Sequence, residues 1–174
     1  MPIVNSNKEK MMSDDAIKDA LRMMPYGFYA ITSKHGDEVN AMVANWVMQA
    51  SFEPRQVAVG LAKSAFSYNL IKEGGVFGVN IFLKDDQDSL MPFTKGRAKN
   101  PDKMTDANYE AAPETGVPVL AGAAAVIECR VVGELDSGGD HVIIVGEAVA
   151  ANVMKEGEPN DVLSLPHLGW SYAG

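Results

Sequence analysis

One cysteine, three histidines and no apolar run approaching the roughly 20 residues of a membrane span mark this 174-residue chain by what it lacks. The lone Cys129 excludes an internal disulfide, a CxxC redox motif and any cysteine-cluster metal site. It sits in an apolar run and reads as a buried, inert thiol. His35, His141 and His167 stand at no metal-ligand spacing, so no metal site is expected. Basic residues are also short: 15 Lys and Arg against 23 Asp and Glu give a net charge of −8, which disfavours nucleic acid or an anionic membrane as the main partner. No GxGxxG, GxxxxGK[ST] or GxSxG occurs, which argues against a Rossmann domain, a P-loop NTPase and an α/β-hydrolase. The opening MPIVNSNKEKMM has no basic region followed by an apolar stretch, so no signal peptide is expected, and with a single cysteine the cytoplasm is the expected location.

What is present is a globular composition, 47% apolar, of a length that suits one domain spanning 1–174. Residues 1–12 read as a flexible leader. Ser13-Asp14-Asp15 can cap a short helix in which Ile17, Ala20, Leu21 and Met24 recur at i, i+3, i+4 and i+7. Strands are expected at Gly27–Ser33, from Val39 to Ser51, at Val57–Ala62 and at Val76–Phe82, with a helix from about Asp86 to Phe93. Thr94–Thr105 reads as an exposed loop. Ala121–Leu135 and His141–Val153 flank the turn Asp136-Ser137-Gly138-Gly139-Asp140 and should pair as an antiparallel hairpin. Six or so strands with few helices predict a mainly β, antiparallel barrel or sandwich.

Val57–Gly75 organises the rest. A short apolar strand turns through Lys63-Ser64 into a helix with Phe66, Leu70 and Ile71 at helical spacing, stopped by Gly74-Gly75. With Ser64 as N-cap, Lys63, Ser64 and Ser67 would gather at the positive end of that helix, where a phosphate can be held. The same features also serve an ordinary capped helix with a surface lysine. In Asn40–Ser51, strict alternation places Met42, Ala44, Trp46, Met48 and Ala50 on one face and Asn45, Val47, Gln49 and Ser51 on the other. Neutral amides and a hydroxyl among small apolar neighbours suit the edge of a planar heterocycle, and equally one solvated face of a strand. Of the histidines, His141, at the mouth of the last hairpin, is the candidate for chemistry.

The order of motifs resembles the flavin reductase-like family, FMN-binding split barrels that include ferric reductases and the reductase modules of flavodiiron proteins. The matching stretches are Tyr26–Ser33, Asn40–Pro54, Leu61–Ser64 with Ser67, Gly75–Asn80, Pro118–Leu120, Ala125–Cys129, and Gly139–His141 with Val145–Glu147. The resemblance implies a homodimer of six-stranded split barrels with a few short helices, each binding FMN noncovalently near the dimer interface. It implies that Asn45, Trp46, Val47, Gln49 and Ser51 border the ring and ribityl chain, and that Lys63, Ser64, Phe66 and Ser67 meet the phosphate. Asn80 is counted with the cofactor-binding residues, and His141 is placed near the flavin or nicotinamide. The activity implied is hydride uptake from NAD(P)H and electron transfer to free flavin, a ferric chelate or a small redox protein. A flavoredoxin-like electron carrier without direct NAD(P)H oxidation is the alternative, and a barrel that binds heme instead is a third. The Trp170- and Tyr172-containing end is expected to complete the core.

Overall fold

The computed structural model describes residues 14–172. The expected leader and the Ser13 cap lie outside the described residues. Helix α1 (Asp14–Arg22) forms where the apolar spacing predicts it and carries Asp14–Lys18 and Asp19–Arg22 ion pairs of 2.8 and 3.0 Å. No residue of α1 is buried, and Ile17 and Leu21 are exposed.

Strands β1 (Tyr29–His35) and β2 (Glu38–Ala44) make a tight hairpin, as do β3 (Val47–Phe52) and β4 (Arg55–Ala62). Helix α2 (Phe66–Gly74) leads into β5 (Val76–Ile81). The expected stop is real: Gly75 takes a left-handed φ of 69° and its N–H bonds to Ile71 O, a conformation that costs glycine nothing. Short helical turns fill residues 84–94, with α3 (Gln87–Leu90) at their centre. Strands β6 (Tyr109–Ala111) and β7 (Pro118–Leu120) pair separately, and β8 (Ala125–Leu135) and β9 (His141–Val153) form the long last hairpin across the expected turn.

The main sheet is antiparallel with the order β2-β1-β5-β8-β9-β4-β3. Seven strands are found in place of six because Val39–Ser51 is not one strand: it breaks at Asn45-Trp46. The chain thus leaves the sheet at one edge, β2, and re-enters at the other, β3, within two residues. Since one residue advances the chain by at most about 3.8 Å, the two edges must lie together. The sheet therefore curls into a barrel with a seam.

Inside the barrel, Ile31, Val59, Leu61, Phe77, Val142 and Ile144 are buried and packed together, each contributing about 1.5–3 kcal/mol by leaving water. A second cluster, with Phe28, Phe82, Leu90, Phe93, Leu163 and Leu165, joins residues 84–94 and the C-terminal segment to the barrel wall. That segment is stitched on by Phe28 N–H to Leu163 O at 3.1 Å, Leu165 N–H to Tyr26 O at 3.0 Å and a Gly27–Ser164 bridge. Among the described residues no helix is long and apolar enough to cross a membrane, and no cluster of His, Cys, Asp and Glu is placed to hold a metal ion.

Candidate functional site

The seam opens into a cleft of about 390 Å³. Asn45, Trp46, Gly60, Ala62 and His141 form its floor and one side, and Trp170 and Tyr172 cross the other. Gly60 N–H bonds to Trp46 O at 2.8 Å, which brings the indole down on the β4 backbone; a Cβ on residue 60 would lie 2.9 Å from Trp46 Cε3. The His141 ring sits 4.7 Å from the Trp46 ring, tilted by 56°. His141 Nδ1 lies 2.8 Å from Asp140 Oδ1, and that hydrogen bond, followed by the imidazole's charge, holds the Asp140 carboxyl below its ordinary range. Nε2 is then the remaining polar atom of the ring.

Asn45 Nδ2 is buried and has no hydrogen-bond partner. A stranded amide donor costs about 1–3 kcal/mol, so its position in the wall of an otherwise apolar cleft is that of a donor for a ligand's carbonyl or ring nitrogen. The glycine floor, aromatic walls and single amide donor fit a planar heterocycle such as a flavin.

The other expected residues divide. Val47 and Gln49 do not share a wall with Asn45: the break at Asn45-Trp46 interrupts the alternation, and both line a separate groove with Tyr29 and Ile127. Gln49 Nε2 donates to Ser51 O at 3.2 Å on the exposed edge strand. Ser64 is not the N-cap. Ala65 holds that position, with no side-chain cap bond, and Ser64 is exposed. Ser67 is 1% exposed and its Oγ accepts from Asn40 Nδ2 at 2.8 Å, because Ser67, Leu70 and Ile71 form the helix stripe that faces the sheet. Asn80 is sealed in the interior, donating to Thr32 Oγ1 and Pro118 O and accepting from Leu120 N–H at 2.9 Å; its amide ties β5 to β1 and β7 and reaches no cleft.

Lys63 directly follows the cleft residue Ala62. Its N–H is fixed to Asp140 O at 2.9 Å and its Nζ pairs with Asp136 Oδ1 at 2.8 Å. That hydrogen bond, with one from Gly138 N–H, holds the Asp136 carboxyl below its ordinary range. At the same helix end the Arg97 guanidinium lies 4.1 Å over the Phe66 ring while bonding Glu38 at 2.7 Å. The first N–H groups of α2 have no partner within the helix, so two cations and free donors share this corner.

Arg97, Phe28, Gly60 and the aromatic end were missed as site residues. A Lys/Arg/Gly-rich loop was visible in the sequence at 94–105, but nothing local said which element it would meet. The chain end does not complete the core: Leu163 and Leu165 do that, whereas Trp170 and Tyr172 are 45% and 42% exposed over the cleft. Trp170 stands edge-on to Phe28 at 5.7 Å, and Tyr172 edge-on to Trp46 at 5.5 Å.

Comparison with known proteins agrees with this geometry. Residues 21–170 match the flavin reductase like domain. The chain is 36% identical over 142 residues to a ferric-chelate reductase (NAD(P)H) from Archaeoglobus fulgidus, covering 80% of this chain and 83% of that protein. It is 34% identical to high molecular weight rubredoxin from Moorella thermoacetica over 80% of this chain, but spans 61% of that longer protein, and 24% of relatives from Nostoc and Synechocystis. Among solved structures, the NADH:FAD oxidoreductase of Streptomyces globisporus with NAD and FAD fragments superposes with a TM-score of 0.71 at 25% identity, covering 80% of this chain and 82% of that one. The chain is therefore a member of the flavin reductase-like domain family, an oxidoreductase of the flavin reductase type.

Proposed function

We propose that the cleft binds FMN and that the protein uses it to move electrons from NAD(P)H to free flavin, a ferric chelate or a small redox protein. The observation that carries this reading is the buried, unpartnered Asn45 amide beside the Trp46–Gly60 floor. Bound flavin supplies the hydride-accepting chemistry, and the protein supplies position and electrostatics. Asn45 donates to a polar edge of the ring, Trp46 and His141 wall it, and Lys63 with Arg97 and the α2 N–H groups takes the phosphate. The ferric-chelate reductase and NADH-dependent relatives support this donor and acceptor class.

The exposed apolar side chains Met48, Phe52 and Val153 support self-association into a homodimer, which sedimentation velocity measures directly. The buried Cys129 thiol, pushed up to about 12 by burial and then by Glu128, suits a reducing compartment, and we assign the protein to the cytoplasm.

The purified protein should quench FMN fluorescence on titration, and its visible flavin bands should bleach on anaerobic NADH addition. A protein that leaves the fluorescence of FMN and FAD unchanged overturns the reading. A second reading is favoured by one observation, the aromatic end across the cleft mouth. On it, the protein is an electron carrier reduced by another protein, a role consistent with its likeness to the rubredoxin-named relative. Stopped-flow reduction separates the two, since rapid bleaching by NADH alone excludes the carrier.

A further inference from the structure

The cleft is too small for the reaction while its aromatic wall is in place. This inference rests on the flavin reading above. Hydride transfer needs two flat rings in face-to-face contact, reacting atoms about 3–3.5 Å apart. At about 390 Å³ the cleft falls near the lower end of small-ligand sites, which run to roughly 1,000 Å³. It accommodates one tricyclic ring, not a ring with a second stacked on it.

The wall that takes up the remaining space is Trp170-Ser171-Tyr172. Its anchoring is uneven. Main-chain bonds fix the segment as far as Trp170, whose N–H reaches Leu165 O at 3.0 Å. Beyond that, among the described residues, Tyr172 is held by its edge-on contact with Trp46 at 5.5 Å and 78°. A single edge-to-face ring contact at a half-exposed site is weak enough to exchange for another aromatic partner.

We propose that Tyr172 is a donor-specificity residue. Its ring keeps the place over the cleft that the nicotinamide of the donor takes, and donor binding displaces it. The protein thereby selects for donors whose own flat ring replaces the tyrosine against Trp46, and disfavours reductants that bring no ring.

The test uses the full chain loaded with FMN and the variants Tyr172→Ala and Tyr172→Phe. Removing the ring should lower KM for NADH by about three- to tenfold, the value of one edge-to-face contact, with FMN affinity and the urea midpoint unchanged. Tyr172→Phe keeps the ring and should behave as the parent protein. Reduction by dithionite, which needs no stacking, should proceed at the same rate in all three. A KM that is unchanged or raised in Tyr172→Ala, with FMN still bound, overturns the role of Tyr172 and leaves the flavin reading intact. Failure of the parent protein to bind FMN overturns both.

Discussion

Trp46 lies against Gly60 so closely that position 60 has no room for a methyl group: the added carbon would stand 2.9 Å from the indole Cε3 and 3.1 Å from its Cβ. The contact is held from the main chain as well, by Gly60 N–H to Trp46 O. Gly60→Ala must therefore tilt the ring that floors the cleft. Overpacking of this kind costs about 1–3 kcal/mol, read as a lower urea midpoint, and FMN affinity should fall about tenfold, a matching loss of 1.4 kcal/mol. FMN titration that is identical in Gly60→Ala and the parent would show that the ligand does not touch this floor.

Asn45→Leu removes the stranded amide and keeps the volume. The apo protein should lose nothing in stability and gain slightly, because a buried donor without a partner is a cost of about 1–3 kcal/mol. Flavin binding should weaken by a similar amount. A variant that is both less stable and equally tight for FMN would place the amide's partner within the protein.

Lys63 and Ser67 separate a phosphate contact from a packing contact. Lys63→Ala should weaken FMN more than riboflavin, by at most about 1.5–3 kcal/mol for a charge-assisted bond, and by less to the extent that Lys63 already spends its charge on Asp136. Ser67→Ala should leave the FMN-to-riboflavin ratio alone and lower stability by about 1–3 kcal/mol, since it strands the Asn40 amide. Parallel fluorescence titrations of the two flavins decide both points.

Asp136 and Asp140 set the acid limb of stability. Both carboxyls titrate below the ordinary 3.8 in the folded protein, Asp136 through Lys63 and Asp140 through His141. A depressed folded value means the stabilisation is complete above the unfolded value and is lost as pH falls through the folded one. Urea midpoints should thus drop on the acid side of pH ~4, and Asp136→Asn should drop less steeply there. Because both groups are fully exposed the difference is small, and it should shrink further in high salt.

Punctuation made much of the architecture readable. The Asp/Ser/Gly turn at 136–140 announced the hairpin of β8 and β9, and Gly75 announced the end of α2, because each is a local backbone requirement that the residue type satisfies. The break at Asn45-Trp46 carried no glycine or proline and so passed as continuous strand. Ser67 was misplaced although its stripe with Leu70 and Ile71 was in the sequence: a hydroxyl near a helix start suggested an anion, and its partner, Asn40, lies 27 residues away. Asn80 failed in the same way, its three partners being on other strands or loops. The arrival of Arg97 and Tyr172 at the site depends on where the chain ends up in space, which spacing along it does not encode.

The two residues that carry the chain across the sheet's open join also face the ligand, so occupancy and closure of the cylinder are thermodynamically one event. Whatever binds Asn45 and Trp46 clamps the margins of β2 and β3 together, and the free energy of that clamp reaches every strand between them. Flavin should accordingly raise the melting temperature of the entire domain. Amide exchange should slow first along these two margins, the hoop-like perimeter that a seven-stranded sheet otherwise leaves free to breathe.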